Sequence, residues 1–487
     1  MEFDEIISNF AHDKDYIANM ITIAIGVLMF FGYLLIATEH LTNINKAATA
    51  MFAGVVGWIL FMLTGTEYIS TIHGAEWTSF LGGREAEWED IHSFVAQNIF
   101  LKYAWYICSL VMYLLATMAI VDVLNSNECF SFLKTWIKNR NSKWVLWVSV
   151  ALTFLISVNL DNLTTTMLML LVLKKVIEND RQRIFIGAAV LVAANCGGCC
   201  TVIGDITSLM VWYKGAVTPA NFSGAMILPA LLTTIVTTLL IQRKLPSSLD
   251  LVRETMFFRG DDYVLPSWQR ITLLVIGLCG LWFVPTFYRI TLLPPFLGSL
   301  CVLGLLWVLN EVFNRKRIKT EQPSILMGSD HRLLYESLQV IMFVIGMCLA
   351  MGVLIECGAM NFLRNIIETL FPNIYILGVV MGFVSAALDD VALVLTGINM
   401  YDIVPDAQVV TDYTSFFAQN GPYWHLIVFC GAVGGCLLPI GNTAGYAFLK
   451  LEDEASGTWY LKNICSKVLA GWAVGLITYF IIDYFIR

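Results

Sequence analysis

The sequence predicts an all-α protein that crosses a membrane many times, with inverted repeats, two re-entrant hairpins and two broken transmembrane helices. Three observations support this fold class. Of the 487 residues, 58% are apolar and only 14% are charged, and the mean hydropathy is +0.72. Apolar runs long enough to span a bilayer recur along the whole chain. Two similar sets of polar motifs interrupt these runs, one set in each half.

The spanning helices follow from the apolar runs. About 20 apolar residues form a helix that crosses the hydrocarbon core and satisfies its own backbone polar groups. Runs of suitable length lie near 18–38, 47–65, 100–121, 224–242, 270–286, 293–311, 335–355 and 465–486. We expect each of them to form one transmembrane helix.

The loop charges predict the orientation of the chain. The loop 66–99 is acidic and has Arg84 as its one basic residue, whereas 122–144 carries several lysines and an arginine. Because loops rich in Lys and Arg stay on the cytoplasmic side, the first loop is expected outside and the second in the cytoplasm.

Two segments are predicted to enter and leave the membrane on the same side. The first lies near 145–175, has Asp161 at its tip and is flanked by basic residues, so it should enter from the cytoplasm. The second lies near 373–400, has Asp389 at its tip and precedes the acidic loop 402–412, so it should enter from outside. Opposite orientation of matching elements is typical of inverted repeats.

This pattern predicts the domain organisation. Residues 1–245 form the first inverted repeat, 246–269 form a polar cytoplasmic linker, and 270–487 form the second repeat. Each repeat is expected to contain scaffold spans, one hairpin and one broken helix.

The broken helices are predicted near 184–215 and 424–449. Each contains a glycine pair followed by a restart: Gly197-Gly198 then Ile203-Gly204-Asp205, and Gly434-Gly435 then Ile440-Gly441-Asn442. Glycine allows a helix to unwind, which exposes backbone groups to a ligand. The alternative is close helix packing, for which membrane helices also use glycine. The duplicated spacing favours a binding role.

The hairpin tips carry the acidic groups. Asp161-Asn162-Leu163-Thr164 and Ser385-Ala386-Ala387-Leu388-Asp389-Asp390 place carboxylates where a helix begins. A helix N-cap is the alternative explanation for one such motif. Ionisable groups at membrane depth usually mark an ion or substrate path, and the repetition favours that explanation.

The residue types indicate a hard cation as ligand. Oxygen-rich sites with carboxylates suit such ions, here Na⁺ or Li⁺. Desolvation favours the neutral form of a carboxyl group, so the same site can hold either a proton or a metal ion. Competitive binding at a site exposed alternately to each side produces exchange.

Other functions fit particular features less well. The Cys196-x-x-Cys199-Cys200 pattern could hold a soft metal or arsenite, although buried cysteines are mostly inert. An anion carrier for dicarboxylate or arsenite, and a non-transporting sensor or scaffold, are the remaining alternatives. Neither a nucleotide-binding nor a hydrolytic motif is present, so an enzyme is not expected, and neither is a resident cofactor or a nucleic-acid partner.

At these motifs the chain resembles the NhaD-type sodium/proton antiporters of the ion-transporter superfamily, from roughly residue 100 to the end. The resemblance implies Na⁺ or Li⁺ exchange for protons, an elevator-type fold, a homodimer, and a bacterial cytoplasmic (inner) membrane as location. By motif, it assigns the cation and proton site to Asp161, Asn162, Thr164, Asn195, Asp205, Thr207, Ser385 and Asp389, with Asp161, Asp205 and Asp389 as the charged ligands. Gly197, Gly198, Gly434, Gly435 and Asn442 would supply the broken-helix backbone.

The chain departs from this family pattern at several positions. Asp390 stands where the family has Asn, and it adds an acid to the predicted site. Cys196, Cys199 and Cys200 replace smaller or different residues. The third span, 100–121, lacks the glutamate that the resemblance leads us to expect.

Overall fold

A computed structural model describes residues 20–42, 44–64, 69, 72–252, 265–315 and 331–486. Within these ranges the regular secondary structure is helical, and β-structure is limited to isolated bridges. Six of the helices are long and apolar enough to cross a membrane. The protein is therefore an all-α, multi-pass membrane protein. Residues 253–264 of the predicted linker and the acidic residues of 1–19 lie outside the described ranges.

The N-terminal third contains the first three predicted spans. Helices α1 and α2 coincide with the runs 18–38 and 47–65, and a π-helical turn at Val95–Phe100 connects α4 to α5. The helices are α1 (Met20–Ala37), α2 (Lys46–Thr64), α3 (Gly74–Leu81), α4 (Trp88–Phe94), α5 (Leu101–Ser126) and α6 (Ser131–Ile137).

The next segment forms the first helical hairpin and the first broken helix. Two helices meet at a short turn that ends at Asp161, and the following helix stops at Gly198 and resumes at Ile206. The helices are α7 (Ser142–Ser157), α8 (Asn162–Val176), α9 (Asp180–Gly198), α10 (Ile206–Tyr213) and α11 (Pro219–Gln242).

The second half has the same order of elements. A hairpin turns between Ser385 and Asp390, and the later break runs from Gly434 to Thr443. The helices are α12 (Ser267–Thr291), α13 (Pro295–Phe313), α14 (His331–Glu356), α15 (Ala359–Leu370), α16 (Ile374–Ser385), α17 (Asp390–Met400), α18 (Pro422–Gly434), α19 (Thr443–Leu451) and α20 (Ser466–Ile486). Helix α15 is an element that the sequence analysis did not predict.

The described residues divide into two compact units. Unit 1 comprises those within Met1–Cys108, Met342–Asn373 and Leu395–Asp402. Unit 2 comprises those within Ser109–Ile341, Ile374–Val394 and Ile403–Arg487. Both broken helices and both hairpin turns belong to unit 2.

Close helix packing in unit 2 depends on small residues. Helix α11 packs along α20, where Gly471 and Gly475 form a G-x-x-x-G pattern. A Cβ on either glycine would collide with the hydroxyl of Thr237 or Thr233 on α11. Since lipid is as apolar as a helix surface, such backbone approach and van der Waals contact hold membrane helices together.

Candidate functional site

Asp161 ends the turn of the first hairpin and caps α8. Its Oδ2 accepts a hydrogen bond from the backbone N–H of Thr164 at 2.9 Å, and the Thr164 hydroxyl also interacts with the carboxyl group. The residue is 9% exposed. The N-cap explanation therefore describes the local geometry correctly. It does not account for the other polar groups around the turn.

The first broken helix brings polar side chains to this turn. Nδ2 of Asn162 donates to Oδ1 of Asn195 at 2.9 Å, which connects the start of α8 to the end of α9. The break lies against the hairpin turn, because a Cβ on Gly204 would lie 2.7 Å from the carbonyl oxygen of Ser157, and the next residue, Asp205, is buried there. The hydroxyl of Thr207 donates to Oδ2 of Asp205 at 2.5 Å. Hairpin and broken helix thus contribute to one cluster of buried oxygen atoms.

The second hairpin has the corresponding arrangement. The backbone N–H of Val391 lies 3.1 Å from Oδ1 of Asp389 and 2.8 Å from Oδ1 of Asp390. The backbone N–H of Asp390 donates to the carbonyl of Gly441 at 3.0 Å. Asn442 caps α19, with its Oδ1 2.6 Å from the N–H of Gly445. Here, too, the tip of a hairpin contacts the break of a helix.

In each half, a serine at the end of the first hairpin helix donates to a backbone carbonyl just before the break of the broken helix. The hydroxyl of Ser157 donates to the carbonyl of Ala194 at 2.6 Å. The hydroxyl of Ser385 donates to the carbonyl of Gly431 at 2.7 Å. Both serines are fully buried. The first and second halves therefore repeat this contact at matching positions.

The glycine pairs permit the close approach of backbone to backbone. A Cβ on Gly197 would lie 2.5 Å from the carbonyl oxygen of Phe154, and one on Gly434 would collide with the carbonyl of Gly382. This geometry is what the close-packing alternative describes, and the ligand-binding role of these glycines stays a prediction. A Cβ on Gly198 or Gly435 would similarly lie close to the carbonyl oxygen of Gly204 or Gly441, which comes shortly before each helix resumes.

Buried thiols lie where the two halves meet. Cys436, which follows α18, is within electrostatic range of Cys196 and Asp205 from the first half. It is also within range of Asp390. The thiols of Cys199 and Cys200 point to the carbonyl oxygen of Cys196, at 3.3 and 3.1 Å. The two thiols therefore donate to a backbone carbonyl group near the break of α9.

The described residues contain no group of three or more His, Cys, Asp and Glu side chains suited to holding a metal ion. A hard cation at Asp161 and Asp205 would take further ligands from amides, hydroxyls and backbone carbonyls, which the break of α9 supplies.

The predicted site residues all lie in unit 2, and nearly all are buried. Thr164 is half-buried, and the others are at most 9% exposed: Asp161, Asn162, Asn195, Asp205, Thr207, Ser385, Asp389, Asp390 and Asn442. The structure brings them together as two tip-and-break clusters.

Three buried charged residues were not identified from the sequence as functional or structural groups. Arg183 and Glu452 form an ion pair in unit 2, and Glu356 accepts hydrogen bonds in unit 1. Glu356 carried a signal, since it is an acid at the end of an apolar run. Its hydrogen-bond partners are distant in sequence, so no neighbouring motif marks Glu356 as a functional residue.

Comparison with known proteins shows the family. A family model described as CitMHS, citrate transporter, matches residues 33–417. The chain belongs to this family. Membership makes the protein a transporter rather than an enzyme.

Several relatives of this chain are named as antiporters. Sodium/proton antiporter 2 of Arabidopsis thaliana is 28% identical over 465 residues, covering 94% of this chain and 99% of the relative. Sodium/proton antiporter 1 of the same plant is 30% identical over 377 residues, covering 77% of this chain and 62% of the relative. The Na⁺/H⁺ antiporter NhaD of Halomonas elongata is 25% identical over 453 residues, covering 87% and 81%. The resemblance to NhaD-type antiporters is confirmed.

Proposed function

We propose that this protein is a secondary active transporter that exchanges Na⁺ or Li⁺ for H⁺ by alternating access. The observation that carries the proposal is the contact between the first hairpin tip and the first break. There, Asp161 on the turn and Asp205 after the break are both buried, and Nδ2 of Asn162 donates to Oδ1 of Asn195 between the same two elements.

A cation between the two acids would relieve their repulsion. Both carboxyl groups are nearly fully buried, so water screens their charges poorly. A monovalent hard cation offsets part of this charge and is coordinated by oxygen atoms, as hard cations prefer. The amides and the Thr207 hydroxyl stand beside the same acids and complete an oxygen-rich ligand set.

A proton relieves the same repulsion in another way. When two carboxylates share a buried site, binding one proton removes one of the negative charges. Protonation and cation binding are then mutually exclusive at Asp161 and Asp205. A carrier that returns only with one or the other bound exchanges them in a fixed ratio.

We also propose the remaining features that the resemblance implies. Asp389 and Asp390 would contribute to ion binding from the second hairpin, within two inverted repeats that work as an elevator. The working form would be a homodimer in the cytoplasmic membrane of a bacterium, surrounded by lipid. Native mass spectrometry of the purified protein tests the dimer, and a monomer as the sole species would contradict it.

The test of exchange uses everted membrane vesicles that contain a pH-sensitive dye. We expect added Na⁺ to dequench the dye in vesicles with the wild-type chain. Asp161→Asn should abolish this response, because the variant cannot release a proton at this position or provide a full negative charge. Glu454→Gln is the matched control, since Glu454 is half exposed and pairs only loosely with Arg181 at 3.5 Å.

The outcome separates the possible failures. Normal Na⁺-dependent exchange by Asp161→Asn would remove Asp161 from the mechanism. Absence of exchange by the wild-type chain, together with uptake of labelled citrate, would favour the anion-carrier alternative, for which the family description gives a reason. The buried acids argue against that alternative, because they repel a carboxylate substrate.

A further inference from the structure

Unit 1 contains a buried acid that the proposed exchange mechanism does not use. Glu356 is the last residue of α14 and is 5% exposed. Among the described residues of unit 1, Glu356 is the only charged residue that is buried. An acid in such a place of a membrane protein is costly unless it is protonated or paired, and it is therefore a candidate for function.

Both oxygens of Glu356 have partners on other elements. The hydroxyl of Tyr103, in the first turn of α5, lies 2.7 Å from Oε1. Nε2 of His73, just before α3, lies 2.8 Å from Oε2. Segments separated by 253 and 283 residues in sequence thus meet at one carboxyl group.

The surroundings of this triad are apolar. Cys357 and Val353 of the same chain region belong to a buried cluster that includes Trp58 and Phe94. The Trp58 ring meets Tyr103 edge-on at 5.7 Å, and the His73 ring lies 6.4 Å from that of Phe94. A charge on the triad is poorly solvated here. Gain or loss of one proton changes the net charge of the triad and therefore has a large energetic effect.

A chain of polar groups leads from the triad towards solvent. Nδ1 of His73 lies 3.9 Å from Oε2 of Glu76, which is itself 3.1 Å from Nζ of Lys102. Side-chain exposure rises from 6% at Glu356 to 18% at His73 and 53% at Glu76. A proton can therefore reach Glu356 through the imidazole without crossing the apolar cluster.

We propose that His73, Tyr103 and Glu356 form a proton-binding site whose occupancy sets the pH range in which the transporter works. The site consists wholly of unit 1 residues. With a proton on His73, the imidazolium and the carboxylate neutralise each other. Loss of that proton leaves a buried anion with hydrogen bonds but without a counter-charge, which favours rearrangement of the segments that meet there.

Three other titratable side chains lie near the triad. They are the Cys357 thiol next to Glu356, Glu76 beside His73, and Lys102 beside Tyr103. Glu76 and Lys102 are more than half exposed and pair with each other, so their net effect on the triad is small.

Two measurements on the full-length protein test this site. The first is infrared difference spectroscopy of the purified protein between acidic and alkaline pH. We expect a carboxylate band that shifts with pH because the positive charge on His73 is lost, and this shift should be absent in Glu356→Gln and altered in His73→Gln. This readout does not depend on transport, so it remains decisive if the proposed exchange activity fails.

The second measurement is the pH profile of Na⁺-dependent exchange, and it rests on the proposed function. Glu356→Gln and His73→Gln should move the midpoint by about one pH unit or more, while Tyr103→Phe should move it less. Glu85→Gln is the control, an exposed acid of the same loop, and should leave the profile unchanged. Glu356→Asp should restore part of the pH response, which a purely structural role would not require.

Each outcome decides the proposal. An unchanged infrared difference spectrum in Glu356→Gln, or profiles of Glu356→Gln and His73→Gln that superimpose on that of Glu85→Gln, would overturn it. If Glu356→Gln does not fold, His73→Gln and Tyr103→Phe provide the same comparison with milder changes. Loss of all exchange in the wild-type chain would instead refute the proposed function.

Discussion

Gly434 shows how a single residue controls the geometry of the second break. A Cβ at this position would meet the backbone of Gly382, with its Cα and carbonyl carbon at 2.7 Å. Backbone atoms inside two packed helices cannot move aside as a flexible side chain can. The second hairpin therefore reaches the break only because residue 434 has no side chain.

Gly434→Ala should destabilise the protein by about 1–3 kcal/mol, because overpacking forces the α16 and α18 backbones apart. Gly224→Ala is the matched control, since no atom lies within 4 Å of its added Cβ. There, alanine in a helix should be neutral or stabilising by about 0.5–1 kcal/mol. Thermal unfolding of the two variants in detergent checks the difference. Equal melting temperatures would contradict the packing argument.

Single residues also show where the sequence was sufficient. Asp161 was predicted at the tip of a hairpin, and it lies there because an Asp that follows an apolar run is a good N-cap. Glu356 was missed for a physical reason. Its significance comes from His73 and Tyr103, which are neighbours in space but not in sequence.

Among the secondary-structure elements, α9 and α19 are fastened together by a buried ion pair. Nε of Arg183, near the start of α9, lies 2.9 Å from both carboxylate oxygens of Glu452, which follows α19. Asp180 and the carbonyl of Ile177 occupy the remaining arginine nitrogens. The pair thus holds together the ends of helices from the two broken spans.

Glu452→Gln should destabilise the protein by about 3–5 kcal/mol, because it leaves the buried Arg183 without its principal counter-charge. Glu454→Gln, which breaks the exposed Arg181–Glu454 pair, should change the free energy of unfolding by less than about 1 kcal/mol. Denaturation of both variants under the same conditions provides the measurement. A small effect of Glu452→Gln would mean that water reaches Arg183.

Most elements were predictable because they follow local rules. Apolar length located the spans, and paired glycines with caps located the breaks in α9–α10 and α18–α19. Helix α15 was missed because it is short and has charged residues among its apolar ones, so it does not resemble a span. The direction in which each hairpin enters the membrane stays a prediction from loop charge.

At the scale of the whole molecule, ion binding should appear as a change in stability. A ligand that binds only the folded state stabilises it by RT ln(1 + [L]/Kd), or about 2.7 kcal/mol at a concentration of 100 Kd. We expect Na⁺ and Li⁺ to raise the melting temperature and K⁺ to have a smaller effect. The increase should be larger at alkaline pH, because fewer protons then compete for Asp161 and Asp205.

Asp205→Asn should remove most of this Na⁺-dependent increase, whereas Glu454→Gln should retain it. Parallel melting curves with choline chloride separate ion binding from a general salt effect. An identical response of wild type and Asp205→Asn to Na⁺ would place the cation elsewhere in the protein.

The sequence by itself determined that the protein is all-α and crosses a membrane many times, because apolar length and helix caps act within a few residues of the chain. Only the tertiary structure decided which polar groups share a site. It joined Asn162 to Asn195, Arg183 to Glu452, and His73 and Tyr103 to Glu356. These contacts depend on how helices pack, and helix packing is the sum of many weak contacts between residues far apart in sequence.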